Sequence, residues 1–221
     1  MERNFHPWEG GEGKVSSQYK FALIHMAKAK MEQAAYVEED AADTLLEKAV
    51  DLLKRTLTYP ENLGEGKLFN VPDNEAYYYI GLAKRQMGQE TEAIEAFRLA
   101  AAGSQEPERV LYYNDQPSDY IYYQGLALRE LGEEVKALRS FHQLVIYGEK
   151  HLFDTMEYDF FAVSLPEIEV YQDDIELRNV QYCNYLRALG ALGLGEEEKA
   201  KELLAGILEK QCDTATAIAL I

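Results

Sequence analysis

The sequence predicts an all-α protein: a right-handed superhelical stack of about four helical hairpins with one irregular crossover inserted. Two stretches, Tyr77–Ala100 and Ile121–Leu144, repeat each other at an offset of 44 residues. In each stretch, apolar residues recur at the spacing of an amphipathic helix. Hairpins of this kind expose an apolar face when they stand alone, so stacking is what should make the fold stable.

The chain is predicted to begin with an extended, glycine-containing segment, residues 1–15, followed by a single repeat domain, residues 16–221. Its first hairpin, residues 16–58, is degenerate. Ser16 or Ser17 is placed to cap its first helix. The acidic run that begins at Glu38 suits the start of its second helix, because negative charge is favourable at a helix N-terminus.

The clear repeats are residues 74–102 and 118–147. Gly81 and Gly125 stand in mid-helix, where glycine costs about 1 kcal/mol relative to alanine. Because the same cost recurs at the same register, we expect a close helix–helix approach there, which needs a residue without a side chain. Gly88 and Gly132 follow the first helices and suit a left-handed C-terminal cap.

A third copy is expected at residues 174–211, where Gly195–Ala200 matches Gly132–Ala137 and Ala188 replaces the mid-helix glycine. The intervening residues 151–173 contain an apolar run that resembles a strand. One strand in an all-helical chain has no partner, so we expect an irregular crossover.

The composition argues against several classes of function. The chain has 22 basic and 39 acidic residues, a net charge of −17, which disfavours nucleic acid and membrane partners. Its two cysteines, Cys183 and Cys212, lack metal-site spacing, so we expect no metal, no cofactor and a cytoplasmic protein. Four histidines without a catalytic motif predict that there is no catalytic residue. Cys183 is predicted to be a small buried residue.

The pattern of Gly81, Ala93, Phe97 and Ala100 resembles the tetratricopeptide repeat, although a 44-residue offset exceeds the usual period of about 34. The resemblance implies a concave face, formed by the first helix of each hairpin, that binds extended peptides. The residues it places on this face are Tyr78, Leu82, Arg85, Tyr122, Leu126, Arg129 and Tyr185, with Leu189 beside them.

Two interpretations of this face remain open. A ladder of tyrosines flanked by arginines can bind a peptide or stack against sugar rings. Alternatively, the tyrosine rings only fill the space between helices. In that case Glu90 and Glu134, which open the following helices, already occupy Arg85 and Arg129.

A narrower resemblance rests on four motifs, which are His6–Gly13, Tyr59–Gly66, Tyr113–Pro117 and Asp159–Pro166. These are similar to the C-terminal repeat region of a bacterial family of unknown function, whose longer members carry an N-terminal β-rich, galactose-mutarotase-like domain. The resemblance implies a non-enzymatic scaffold module that docks on that β domain or on another subunit. It also implies an alternative, a part of a carbohydrate-active protein in which Trp8, Glu9 and Glu12 complete a sugar site.

Overall fold

The described part of the chain consists of helices and the loops that connect them. A computed structural model describes residues 3–5, 13–110, 115–156 and 174–210. Within these ranges there is no strand, which confirms the all-α class, and no helix is both long and apolar enough to cross a membrane. The α-helices are α1 Lys14–Ala34, α2 Glu39–Arg55, α3 Asn74–Gln86, α4 Glu90–Ala100, α5 Tyr120–Glu130, α6 Glu134–His151, α7 Ile175–Leu194 and α8 Glu197–Lys210; a short 3₁₀ helix covers Glu61–Leu63.

The helices belong to two compact units, residues 1–102 and 103–221. In the first unit α1 packs on α2, α2 on α3 and α3 on α4. The second unit follows the same order, with α5 on α6, α6 on α7 and α7 on α8. Each unit therefore contains two pairs of consecutive, mutually packed helices.

The core of the first unit lies between α1, α2 and α3. Leu23 and Ala27 of α1 meet Leu46 and Leu53 of α2, and all four are buried, as is Leu63 of the 3₁₀ helix. The apolar positions of α1 and α2 recur every three or four residues, which is why one side of each helix is buried.

Helix α1 begins three or four residues earlier than a cap at Ser16 or Ser17 would place it. Its first residue is Lys14, and Gly13 precedes it in the left-handed conformation with φ at 82°. The Ser16 hydroxyl donates a hydrogen bond to the Gly13 carbonyl oxygen at 3.1 Å. The expectation that Ser16 or Ser17 caps this helix is therefore wrong, because both serines lie inside its first turn.

Two apolar clusters occupy the second unit. Ile121, Leu144, Leu186 and Leu189 form one of them, between α5, α6 and α7. Leu189 was expected beside the concave face, and the structure corrects this, because its side chain is only 1% exposed. The α7–α8 cluster consists of Ala188, Leu204 and Ile207. Cys183 is buried, as predicted.

Helices α6 and α7 approach each other closely because glycines line their contact. A methyl group added at Gly148 would lie 2.5 Å from the carbonyl oxygen of Cys183. One added at Gly190 would lie 2.7 Å from the carbonyl oxygen of Phe141, and Gly193 faces the Phe141 ring itself. Real Cβ atoms essentially never come within 3.0 Å of such neighbours, so this contact requires glycine at these positions.

Candidate functional site

The α3–α4 pair contains a compact group of five residues, which we call the first packing unit: Tyr78, Gly81, Arg85, Glu90 and Phe97. The Phe97 ring lies against Gly81, where an added Cβ would be 2.5 Å from its Cε1 atom. The Tyr78 ring lies 6.1 Å from the Phe97 ring, and the Arg85 guanidinium lies 4.6 Å from the same ring centroid. Arg85 also pairs with Glu90, at 3.2 Å between Nη2 and Oε1. The mid-helix glycine therefore makes room for the Phe97 ring.

The α5–α6 pair repeats this arrangement in a second packing unit: Tyr122, Gly125, Arg129, Glu134 and Phe141. The Tyr122 and Phe141 rings are 5.9 Å apart, and the Arg129 guanidinium lies 5.0 Å from the Phe141 centroid. Arg129 pairs with Glu134 at 3.1 Å. Each arginine therefore pairs with the glutamate that opens the following helix, which one of the two open interpretations of this face expected.

The second packing unit also reaches a third helix. Arg129 donates a hydrogen bond to the carbonyl oxygen of Gly193, near the C-terminal end of α7, at 2.9 Å. A cation is favourable there, because the last carbonyl groups of a helix carry partial negative charge. The Phe141 ring is held between Gly125 on α5 and Gly193 on α7.

The residues expected on the concave face have mixed environments. Leu82 is half-buried and packs against the core of the first unit, and Leu126 is half-buried as well. Tyr185 packs against both apolar clusters of the second unit, and its hydroxyl lies 3.4 Å from Asp119 Oδ2. Burial raises the pKa of Tyr122, so its phenol stays neutral. Tyr78, Arg85, Tyr122 and Arg129 therefore belong to the packing units. Their role in binding a partner stays a prediction.

Three residues of the carbohydrate alternative, Trp8, Glu9 and Glu12, lie outside the described residues, so that interpretation stays a prediction. The described residues on either side of them contact one loop. The Phe5 amide donates to Asn62 O at 2.7 Å, and the Gly13 amide donates to Glu65 Oε1 at 3.1 Å.

The loop between α2 and α3 is held by a charged cluster. The Lys67 ammonium contacts both carboxylate oxygens of Asp73 at 2.6 Å and donates to the Leu57 carbonyl oxygen at 3.0 Å. Lys20 of α1 lies 4.0 Å from the same carboxylate and donates to the carbonyl oxygen of Pro72. These contacts order the loop, while its Phe69 side chain is fully exposed and Leu68 is 46% exposed.

A second polar cluster, around His151, could not be found by sequence motifs. His151 Nδ1 lies 2.7 Å from Asp154 Oδ2, and Arg109 Nη2 lies 2.7 Å from the same oxygen. The imidazole is stacked on Tyr147 at 4.5 Å, and Asn179 donates to the His151 carbonyl oxygen at 2.8 Å. The His-x-x-Asp spacing at the end of a helix was the only available signal, whereas the arginine comes from 42 residues earlier in the chain.

The chemistry of the His151 cluster favours a structural brace. The hydrogen bond from His151 holds the pKa of Asp154 below its usual value, with a further contribution from Arg109, so the carboxylate stays charged.

Burial raises the pKa of the Cys183 thiol to about 11, which leaves it protonated and a poor nucleophile. Over the parts of the chain that the structure describes, no group of acidic, histidine or cysteine side chains is arranged to hold a metal ion.

Tyr182, on α7, connects that helix to the segment that precedes α5. Its hydroxyl donates to the carbonyl oxygen of Glu108 at 2.9 Å and accepts a hydrogen bond from the Ser118 amide at 3.0 Å. Burial raises its pKa well above the usual value. Together with the Arg109–Asp154 pair, this holds Glu108, Arg109 and Ser118 against the helices of the second unit.

The buried tyrosines predict a loss of stability at alkaline pH. Burial, with smaller contributions from nearby groups, raises the pKa of Tyr147 and of Tyr59 to about 12, from about 10 in an unfolded chain. Between pH 10 and pH 12 the unfolded state loses tyrosine protons that the folded state keeps, so the free energy of unfolding should fall through this window. Urea titrations at pH 9, 10.5 and 11.5 measure this. The Tyr147→Phe variant should show a shallower fall, and an unchanged fall would contradict the assignment.

No family model matches the chain, and no solved structure matches it.

Proposed function

We propose that the chain is a non-enzymatic protein-interaction module, built from tetratricopeptide-like hairpins that stack in a right-handed superhelix. The observation that supports this best is the recurrence of one packing unit in two hairpins. The corresponding ring–ring distances are 6.1 and 5.9 Å, and the corresponding Arg–Glu distances are 3.2 and 3.1 Å. A repeated unit of packing is typical of helical-repeat scaffolds, which present extended surfaces to other proteins.

The charged members of the packing units support a scaffold rather than an active centre. Arg85 and Arg129 each lie on a phenylalanine ring and pair with a glutamate, so much of their donor capacity is used inside the protein. Arg–Phe and Arg–Glu contacts that recur within each hairpin stabilise that hairpin. Function therefore has to be argued from the surfaces that the hairpins present to a partner.

The proposed partner is the β-rich domain that the narrower resemblance implies. The α2–α3 loop supports docking, because it presents Leu68 and Phe69 to solvent from a backbone that Lys67 and Asp73 hold in place. Apolar side chains on an ordered loop bind with little loss of conformational entropy. We therefore place this loop in the interface, together with the first-helix face that carries Tyr78 and Tyr122.

The test is a calorimetric titration of the chain with a separately expressed β-rich domain of the implied family. We expect binding that weakens at least about tenfold when Leu68 and Phe69 are both replaced by alanine, since exposed aromatic anchors dominate interfaces. Tyr36→Ala is the matched control, because Tyr36 is also strongly exposed, at 89%, but lies in the α1–α2 turn. Tyr78→Phe with Tyr122→Phe tests the first-helix face while keeping the ring packing. Absence of binding heat and of co-elution would refute the proposed partner.

A further inference from the structure

The outward face of α6 carries an ordered line of exposed side chains, which we call the α6 stripe. Its members follow one another in alternating steps of four and three residues: Val135, Arg139, His142, Ile146, Glu149 and Phe153. All six are exposed, and the apolar ones strongly so, with Val135 at 78%, Ile146 at 59% and Phe153 at 88%. Alternating steps of this kind keep residues on one side of a helix and are typical of the seam between two paired helices.

The stripe is separate from the side of α6 that packs within the protein. Ala137, Phe141 and Leu144 are fully buried on the opposite side and complete the core of the second unit. The stripe extends over about 27 Å, from the rise per residue of a helix. Its last member, Phe153, follows Leu152, which still has helical backbone angles, so the line continues past the last residue of α6.

The stripe is complementary to itself. Its members are placed symmetrically about position 144: Val135 and Phe153 lie nine residues from it, Arg139 and Glu149 five, and His142 and Ile146 two. If a second copy of α6 ran antiparallel to the first, each apolar end would meet the other apolar end. Each Arg139 would meet Glu149 of the second copy, twice by symmetry.

A parallel arrangement does not have this property. It would place Arg139 against Arg139 of the second copy and Glu149 against Glu149, so both charged layers would be repulsive. The order of charges along the stripe therefore selects the antiparallel pairing, which is the two-fold, isologous geometry of most homodimers.

We propose that the α6 stripe is the interface of an antiparallel homodimer. One helix pair lies near the lower size limit of specific interfaces, about 1,200 Å² in total, so the dimer is weak and forms in the micromolar range. The net charge of −17 and the flanking Lys136 and Lys150 oppose association, and salt near 0.15 M screens this repulsion.

The test is sedimentation of the full chain between about 1 and 500 µM in 0.15 M salt. We expect a concentration-dependent dimer. Arg139→Glu and Glu149→Arg should each weaken it by about tenfold, because each variant makes both symmetry-related charge pairs repulsive. An equimolar mixture of the two variants should restore association, because each chain then meets opposite charges on the other.

Two variants on α4 are the matched controls. Arg98→Glu and Glu95→Arg change the net charge by the same amounts at exposed positions outside the stripe, and neither should alter the dimer. A wild-type chain that stays monomeric at 500 µM would overturn the proposal. So would a dimer that the stripe variants do not weaken, a mixture that fails to restore association, or controls that weaken it equally. The proposal does not depend on the docking partner proposed above.

Discussion

Replacing Gly190 by alanine should lower the free energy of unfolding by about 3 kcal/mol, in the upper range of overpacking effects. The added Cβ would lie 2.7 Å from the Phe141 carbonyl oxygen and 3.2 Å from the Val145 amide nitrogen. Because both atoms belong to the α6 backbone, no side-chain rotation can relieve the contact, and α6 and α7 must move apart. Denaturant titration followed by circular dichroism measures the loss.

Gly206→Ala is the matched control for this variant. Gly206 also stands inside a helix, α8, but nothing lies within 4 Å of the position that its Cβ would take. Alanine there should raise the free energy of unfolding by up to about 1 kcal/mol through helix propensity alone. If Gly190→Ala were as stable as the wild type, the close α6–α7 contact would be contradicted.

The second large effect concerns Gly125 and Phe141, and the α7–α8 hairpin shows a different pair of residues at the same two positions. Gly125→Ala should cost about 2–3 kcal/mol, because the new methyl group meets the Phe141 ring. That ring cannot retreat, since Gly193 lies on its other side and Arg129 lies over it. Phe141→Leu alone should cost about 1–2 kcal/mol as a large-to-small change in the core.

The double variant Gly125→Ala with Phe141→Leu should lose less unfolding free energy than the sum of the losses in the two single variants, by at least about 1 kcal/mol. It recreates the pair that α7 and α8 already use, in which Ala188 packs with Leu204 and both are fully buried. A double-mutant cycle of unfolding free energies measures the coupling. If the two single losses simply add up in the double variant, the need for glycine at position 125 does not depend on the size of the Phe141 ring.

The hairpin interiors could be predicted from the sequence because each rests on local spacing. The 44-residue offset identified Gly81 with Gly125, and the position of Glu90 just after Arg85 made their ion pair one of the two interpretations that the sequence left open. The left-handed glycine caps were also predicted, and Gly88 and Gly132 have φ values of 71° and 76°. In all these cases the interacting residues lie within one or two helical turns, or at one register of a repeat.

Features that depend on tertiary packing could not be predicted. Leu189 matched a concave-face position by register, yet the close contact of α6 and α7 buries it. The His151–Asp154–Arg109 cluster joins the end of α6 to a segment 42 residues earlier, and no spacing rule connects them. Ser16 is a good helix cap by residue type, but Gly13 starts α1 one turn earlier.

Phe141 and Arg129 each connect α5, α6 and α7. In the one-dimensional description of repeat proteins, stability divides into the intrinsic stability of each repeat and the coupling to its neighbours. A residue shared by three helices contributes mainly to the coupling. Detaching α7 would expose Phe141 and release Arg129 at once, so fraying from one hairpin to the next is suppressed. Helices α5 to α7 should therefore open and exchange their amide hydrogens as one cooperative unit.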